Sequence, residues 1–190
     1  MKSRVKYARR SRKVLAHTPI FSLVAEDWED RRAGHRQAFY FLECPDWVNV
    51  VALDDSNRVL LIRQSRYGSR RREVEIPGGA MDRRDSTPLA AAKRELKEET
   101  GCVAPRWTSL GKVSPNPAFH RNTCHMFLAR GARQVSAQKL DRAEDIAVSR
   151  VPLSRIPALI RRGTISHSIV IAAFMAAFIR LRRKNKRYLL

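Results

Sequence analysis

Acidic residues are scarce in this sequence. Its 190 residues hold 18 Asp or Glu against 38 Lys or Arg, a formal net charge of +20. Such an excess attracts polyanions, and by itself it does not choose among nucleotides, nucleic acid and acidic surfaces. Cysteine is sparse as well. Cys44, Cys102 and Cys124 stand far apart, with neither the CxxC pairing of a zinc site nor the dense framework of a disulfide-stapled secreted fold. They read as ordinary thiols in a reducing compartment, and a cytoplasmic location is expected. No transmembrane segment is expected either. The unbroken apolar run Ile169–Ile179 falls well short of the about twenty residues that a spanning helix needs. It reads as a buried helix, with membrane-surface binding as the alternative. The Arg-rich first residues lack the continuous apolar segment of a signal peptide, although a transit peptide shares their composition. Internal repeats and long linkers are missing too.

What is present suits one packed core. Hydrophobic residues make up 44% of the chain, which fits a globular protein, and the length suits one domain better than two. The expected organisation is a basic arm over residues 1–16, a single domain over 17–184 and a basic tail over 185–190. Between residues 19 and 45, short apolar runs flank a charged stretch, predicting strands separated by a turn. Trp47–Leu53 is rich in β-formers and is followed by the turn-like Asp54–Asn57. "RVLLIRQSR" then predicts the partner strand of an antiparallel hairpin. Cys124–Arg130 and "DIAVSRVPL" predict further strands, and a last long helix is expected over roughly 165–184. This order favours an α/β fold, a mixed sheet flanked by helices, over an all-helical or all-strand one.

Chemistry gathers in "EIPGGAMDRRDSTPLAAAKRELKEETG", Glu75–Gly101. Thr87 is a candidate N-cap, Pro88 suits the first turn, and Gly101 is a natural stop, predicting a helix over 88–100. Leu89, Ala92 and Leu96 share one side of it. Helical periodicity stacks Glu95 over Glu99 and puts Glu98 at the border of the same side. Like charges so spaced destabilise a helix, and a bound Mg²⁺ or Mn²⁺ removes that cost while bridging to substrate phosphates. Arg94 is placed to orient a carboxylate through a charge-assisted bond. The turn Pro77–Gly79 permits close backbone approach, so a carbonyl there, at Gly78, is a candidate to complete the metal shell. Acid-rich helices are commonly only solvated faces. The glycine turn, the intervening loop and the apolar Cys102 after Gly101 make the whole phrase far more specific.

The phrase resembles the Nudix box, G-x5-E-x7-R-E-U-x-E-E-x-G-U, where U is a bulky apolar residue. Every defined position matches from Arg94 through Gly101, with Cys102 a small stand-in at the last. The first half departs. Asp85 stands where the pattern has Glu, and eight residues rather than seven separate it from Arg94. The resemblance implies an α/β/α sandwich and hydrolysis of a nucleoside diphosphate linked to another group. The metals would rest on Glu95 and Glu99 with help from Glu98.

Flanking phrases, "LLIRQSRYG", "EIPGG" and "SPNPAFHRNTCHMFLARG", resemble the ADP-ribose and nucleotide-sugar pyrophosphatase branch. By that likeness Arg63, Arg66 and Glu75 are candidates for substrate recognition. Pro117 falls near the characteristic proline of that branch. The late acidic loop "AEDIAV" points to Glu144 first and Asp145 second as general base or metal ligand. Phe119, Tyr67 and Trp28 are candidates to stack on a base, each with core packing as the commoner reading. His120 and His125 do not match the HExxH zinc helix, and His167 reads as a packing residue.

The expected partner is a small-molecule nucleotide. A homodimer completed by the segment 19–42 is compatible with the branch. RNA contact through the basic ends is conceivable from charge alone, without any RNA-binding signature. Alternative substrates are dinucleoside polyphosphates, nucleoside triphosphates and capped RNA. From a different class, the alternative is a Nudix module that binds without catalysis.

Overall fold

The computed structural model describes residues 7–142 and 144–182. The chain clusters into two compact units, one built from the N-terminal residues through Pro45 with Ser114–Asn122, the other from Asp46–Val113 with the chain from Thr123 onward.

The first unit is a three-stranded antiparallel sheet of β1 (Tyr7–His17), β2 (Ser22–Asp30) and β3 (Arg36–Glu43), in that order. Residues 7–16, most of the segment expected to be a basic arm, are therefore strand. Basic residues of β1 face acids across the ladders: Arg10 meets Glu29 and Arg12 meets Glu43. Val24 and Glu26 are buried at its centre.

The second unit holds β4 (Trp47–Leu53), β5 (Arg58–Arg66), β6 (Arg71–Glu75), β7 (Gly78–Ala80), α1 (Pro88–Thr100), β8 (Cys102–Val103), β9 (Arg106–Val113), β10 (Cys124–Arg130), β11 (Arg133–Gln134), β12 (Ala147–Pro152), α2 (Ile156–Arg161) and α3 (Ser168–Arg182). Its main sheet runs β12-β5-β4-β10-β9, with β6 on β5 and β7 on β4. β4 and β10 are parallel and the other pairings antiparallel, so the sheet is mixed.

Alternation along β4 sends Val51 and Leu53 into one apolar cluster with Ile156, Val170, Phe174 and Phe178. Val48, Val50 and Ala52 enter another with Ala91, Ala92 and Leu96. A strand covered on both faces needs a continuous apolar run, and "VVAL" supplies it. With α1 on one face and α2 and α3 on the other, the unit is the expected α/β/α sandwich. Cys102 and Cys124 are free and buried within it, and burial pushes the Cys124 thiol up to about 12.

The expected β4–β5 hairpin holds only at its turn, where Leu53 pairs with Val59. Beyond that the two strands part. β6 takes over pairing with β5 from Ile62 to Arg66, and β7 pairs with β4 from Trp47 to Asn49. The Pro77 carbonyl accepts from the Val50 N–H at 2.8 Å. The glycine turn is thereby wedged into the middle of the sheet, beneath α1. The last helix begins at Ser168, later than the expected 165, and the basic tail lies outside the described residues. No described helix is long and apolar enough to cross a membrane.

Candidate active site

The site is organised by how α1 is held. The Thr87 hydroxyl accepts from the Ala90 N–H at 3.1 Å, and Pro88 opens the first turn. Gly101 ends the helix at φ 67°, its N–H returning to the Lys97 carbonyl. A Cβ there would also lie 2.1 Å from the Ser136 carbonyl oxygen, so glycine is required twice over. Leu96 and Ala92 are wholly buried against the sheet, which fixes the rotation of the helix. Glu95 and Glu99 are consequently directed at the glycine turn.

Their approach depends on missing side chains. The Gly78 N–H donates to Glu99 Oε2 at 2.8 Å. A Cβ on Gly79 would stand 2.5 Å from Glu95 Oε1, and one on Gly78 would stand 2.1 Å from the Val48 carbonyl. Both carboxylates are buried, Glu99 at only 3% exposure. Burial pushes the Glu95 carboxyl up, against the Arg94 charge that lowers it. Burial likewise holds Glu99 well above the usual range, opposed by the Gly78 N–H and reinforced by the charges of Glu95 and Glu144.

Arg94 organises the cluster. Its Nη1 donates to Glu95 Oε1 and to Glu98 Oε2, each at 2.9 Å. Its Nε and Nη2 grip Asp85 at 3.1 and 2.8 Å, and Nη2 also reaches the Ala80 carbonyl. Asp85, the residue that departs from the box pattern, is thus the anchor of Arg94. The Arg94 hydrogen bonds lower its carboxyl pKa against burial. The extra loop residue is absorbed by a turn in which Asp85 N–H meets the Asp82 carbonyl and Asp82 N–H meets the Asp85 carboxylate.

The expected recognition residues divide. Arg66 and Glu75 form a two-pronged pair, Nε–Oε1 at 2.8 Å and Nη2–Oε2 at 2.7 Å. Glu75 is 3% exposed, with Gln64 Nε2 at 3.4 Å and His167 Nδ1 at 3.6 Å. Burial raises its carboxyl, yet Arg66 and His167 more than offset this and leave it at about 2. Its oxygens are committed within the protein, where they hold the Arg66 fork in place. Arg63 is exposed three residues away along β5, and strand alternation turns it to the face opposite Arg66. The structure does not bring these two arginines together.

Glu144 is exposed on its loop, where its Oε2 accepts from the Asp141 N–H at 2.8 Å. Its charge acts on Glu95, Glu99 and Arg66, which places it electrostatically with the cluster. Asp145 is turned instead to Arg72 at 3.2 Å. Phe119 belongs to the first unit, edge-on to His120 and 42% exposed. Tyr67 is 81% exposed, so the core reading fits neither ring. Trp28 is partly buried and donates to Glu26.

Sequence reasoning missed Gln138. Its Nε2 donates to the Glu99 carbonyl at 2.6 Å and to the Ile146 carbonyl at 3.1 Å, tying the Glu144 loop to the end of α1. A lone glutamine in a polar loop carries no local signal of that role. Among the described residues no three His, Cys, Asp or Glu side chains already form a metal cage. The donors nonetheless suit a hard divalent cation. They are carboxylate oxygens, two of them buried with like charge, and such ions keep several waters and share substrate phosphates.

A carboxylate-bearing helix seated on a glycine turn within a mixed-sheet sandwich defines the class of fold and site. The model of the NUDIX domain matches residues 45–174, and the chain belongs to the NUDIX family. It is 32% identical over 130 residues to an ADP-ribose pyrophosphatase of Mycobacterium tuberculosis, covering 68% of this chain and 63% of that relative. It is also 32% identical over 149 residues to an ADP-ribose pyrophosphatase of Bacillus subtilis, covering 74% and 78%. The chain thus spans less than two thirds of the length of the mycobacterial relative. A crystal structure of an ADP compounds hydrolase superposes with a TM-score of 0.83 over 100% of both chains, at 24% identity, a likeness of fold.

Proposed function

We propose that this protein is a divalent-metal-dependent pyrophosphatase acting on ADP-ribose or a nucleotide sugar. The observation that carries the reading is the Glu95–Glu99 pair, buried against Gly78–Gly79 and steered by Arg94. Such a pair is costly unless a cation joins it, and the two relatives named as ADP-ribose pyrophosphatases favour this substrate class.

Glu95 and Glu99, with Glu98 and the Gly78 backbone, would hold Mg²⁺ or Mn²⁺. The bound ion supplies charge neutralisation at the phosphates and acidifies a water. Arg94 sets the carboxylate orientations, with Asp85 holding Arg94 from behind. Arg66, preoriented by Glu75, presents its remaining N–H groups to phosphate oxygens. Glu144 accepts a proton as water oxygen bonds to one phosphorus and the bridging P–O bond breaks. The electron pair leaves with the departing phosphate, giving a nucleoside monophosphate and a phosphorylated product.

The test is chromatography of products from ADP-ribose, sugar nucleotides, dinucleoside polyphosphates, nucleoside triphosphates and capped RNA, each with Mg²⁺ or Mn²⁺. AMP and ribose 5-phosphate released fastest from ADP-ribose support the reading. Preference for another compound replaces the substrate, and no turnover of any of them leaves a binding module.

A further inference from the structure

The hairpin joining β5 to β6 carries more positive charge than the fold needs. Ser65, Arg66, Tyr67, Arg70, Arg71 and Arg72 line a depression of about 300 Å³. Arg66 is paired with Glu75 and Arg72 with Asp145. Arg70 and Arg71 have no carboxylate partner among the described residues. Glu73, the next acid along β6, is hydrogen-bonded to Ser166 at 3.1 Å instead. Four guanidiniums therefore share two carboxylates, leaving two positive charges at one point of the surface. Arg70 is also one of two non-glycine residues at positive φ (54°) among those described. That left-handed conformation suits the tight turn between β5 and β6 and holds Arg70 at the hairpin tip.

Position gives this charge a use. Arg66 is common to the depression and to the strand that leads into the glycine turn: its fork grips Glu75 at 2.8 and 2.7 Å, three residues before Gly78, whose N–H holds Glu99. An anion in the depression would thus lie beside any diphosphate held at α1. A phosphomonoester carries about −1.5 to −2 charge at neutral pH, which matches the two unpaired guanidiniums. Arginine forks also suit the oxygens of a single phosphoryl group. A nucleic-acid backbone would instead call for a track of separated cations, whereas these are confined to one hairpin tip.

We propose that the β5–β6 hairpin is a subsite for a phosphomonoester that the substrate carries in addition to its diphosphate. The proposal rests on the pyrophosphatase reading, since that reading puts a substrate beside Arg66.

The experiment is calorimetric titration of the full chain with AMP and ribose 5-phosphate, and with adenosine 2′,5′-bisphosphate, adenosine 3′,5′-bisphosphate and ribose 1,5-bisphosphate. Turnover of ADP-ribose and of its 2′-phosphorylated form is measured in parallel. At least one bisphosphate should bind about tenfold more tightly than its monophosphate, with the preference lost in Arg70→Gln/Arg71→Gln. Arg70→Lys/Arg71→Lys should retain part of it, which keeps the test decisive if the first variant folds poorly. Equal binding of mono- and bisphosphates overturns the subsite, as does a preference that survives the glutamine substitutions. Hairpin-dependent binding of a single-stranded oligonucleotide tighter than any bisphosphate overturns it in favour of RNA. Absent turnover of both ADP-ribose and its 2′-phosphorylated form, alongside an arginine-dependent bisphosphate preference, would sink only the pyrophosphatase reading.

Discussion

Two buried glutamates, one in each unit, show what burial does to a carboxylate when its partners differ. Glu26, 1% exposed in the first unit, receives Arg9 at 3.0 Å, Arg121 at 2.9 and 2.6 Å, and Trp28 at 3.0 Å. The Arg121 hydrogen bonds, helped by Arg9 and Trp28, outweigh burial and hold its carboxyl down at about 2. Glu99, 3% exposed in the second unit, receives one backbone N–H and is held well above the usual range. Similar solvent exposure thus accompanies opposite electrostatics: Glu99 lies deeper and desolvation dominates there, whereas charged hydrogen bonds dominate at Glu26. A satisfied carboxylate stabilises its unit, while an undersupplied one is a strained site that a cation would relieve.

The largest effects should come from neutralising each residue in turn. Glu99→Gln removes a buried charge from the cluster. Turnover of the best substrate should fall by about 10³-fold or more, while the melting temperature stays level or rises. A fall in both would mean that Glu99 is structural and would collapse the contrast. Glu26→Gln should do the reverse, costing the first unit on the order of 1 kcal/mol, because Arg9 and Arg121 lose a charged partner while both keep access to water. Denaturant unfolding with a probe on Trp28 measures this.

Acid sharpens the comparison next. The folded carboxyl of Glu26 lies near 2, below its ordinary 4.5. Its stabilisation is therefore present above about 4.5 and is lost as pH falls toward 2. Glu99 has the opposite sign: its contribution is complete below the ordinary value and is lost as pH rises through its raised one. Melting curves between pH 2 and 6 should fall steeply with acid in the wild type and less so in Glu26→Gln. Parallel curves would refute the assignment.

Smaller effects belong to the positioning residues. Glu75→Gln loosens the Arg66 fork and should raise KM about tenfold with less change in kcat. Equal losses in both would place Glu75 in the chemistry itself. Asp85→Glu, which restores the family residue, should change kcat/KM by only about threefold or less. The longer loop already delivers the shorter side chain to Arg94, and a large gain would show that it does not.

Legibility followed sequence separation. The cap, first turn and stop of α1 were readable from Thr87, Pro88 and Gly101 because each acts on backbone groups a few residues away. The grouping of Glu95, Glu98 and Glu99 was readable for the same reason. The partner of Glu75 was not, because Arg66 meets it only after β5 and β6 pair in a particular register. Arg63 and Arg66 looked equivalent along the chain, yet a three-residue spacing on a strand separates them onto two faces. The hairpin from Trp47 looked complete because nothing local reveals that β6 and β7 enter between its arms. Residues 7–16 were read as part of a basic arm because the partners of this strand, acids on β2 and β3 among them, come from elsewhere in the chain.

By itself the sequence determined the carboxylate helix, the glycines on which it sits, the family and the excess of positive charge. These follow from side-chain periodicity and backbone permissiveness, which operate within a turn or two. Only the tertiary structure decided which carboxylates are satisfied and which are buried with few donors. It also decided that Asp85 still anchors Arg94 and that Arg70 and Arg71 stand without acids among the described residues. Those outcomes depend on burial and on partners brought from distant parts of the chain, and electrostatic energy is set by that surrounding.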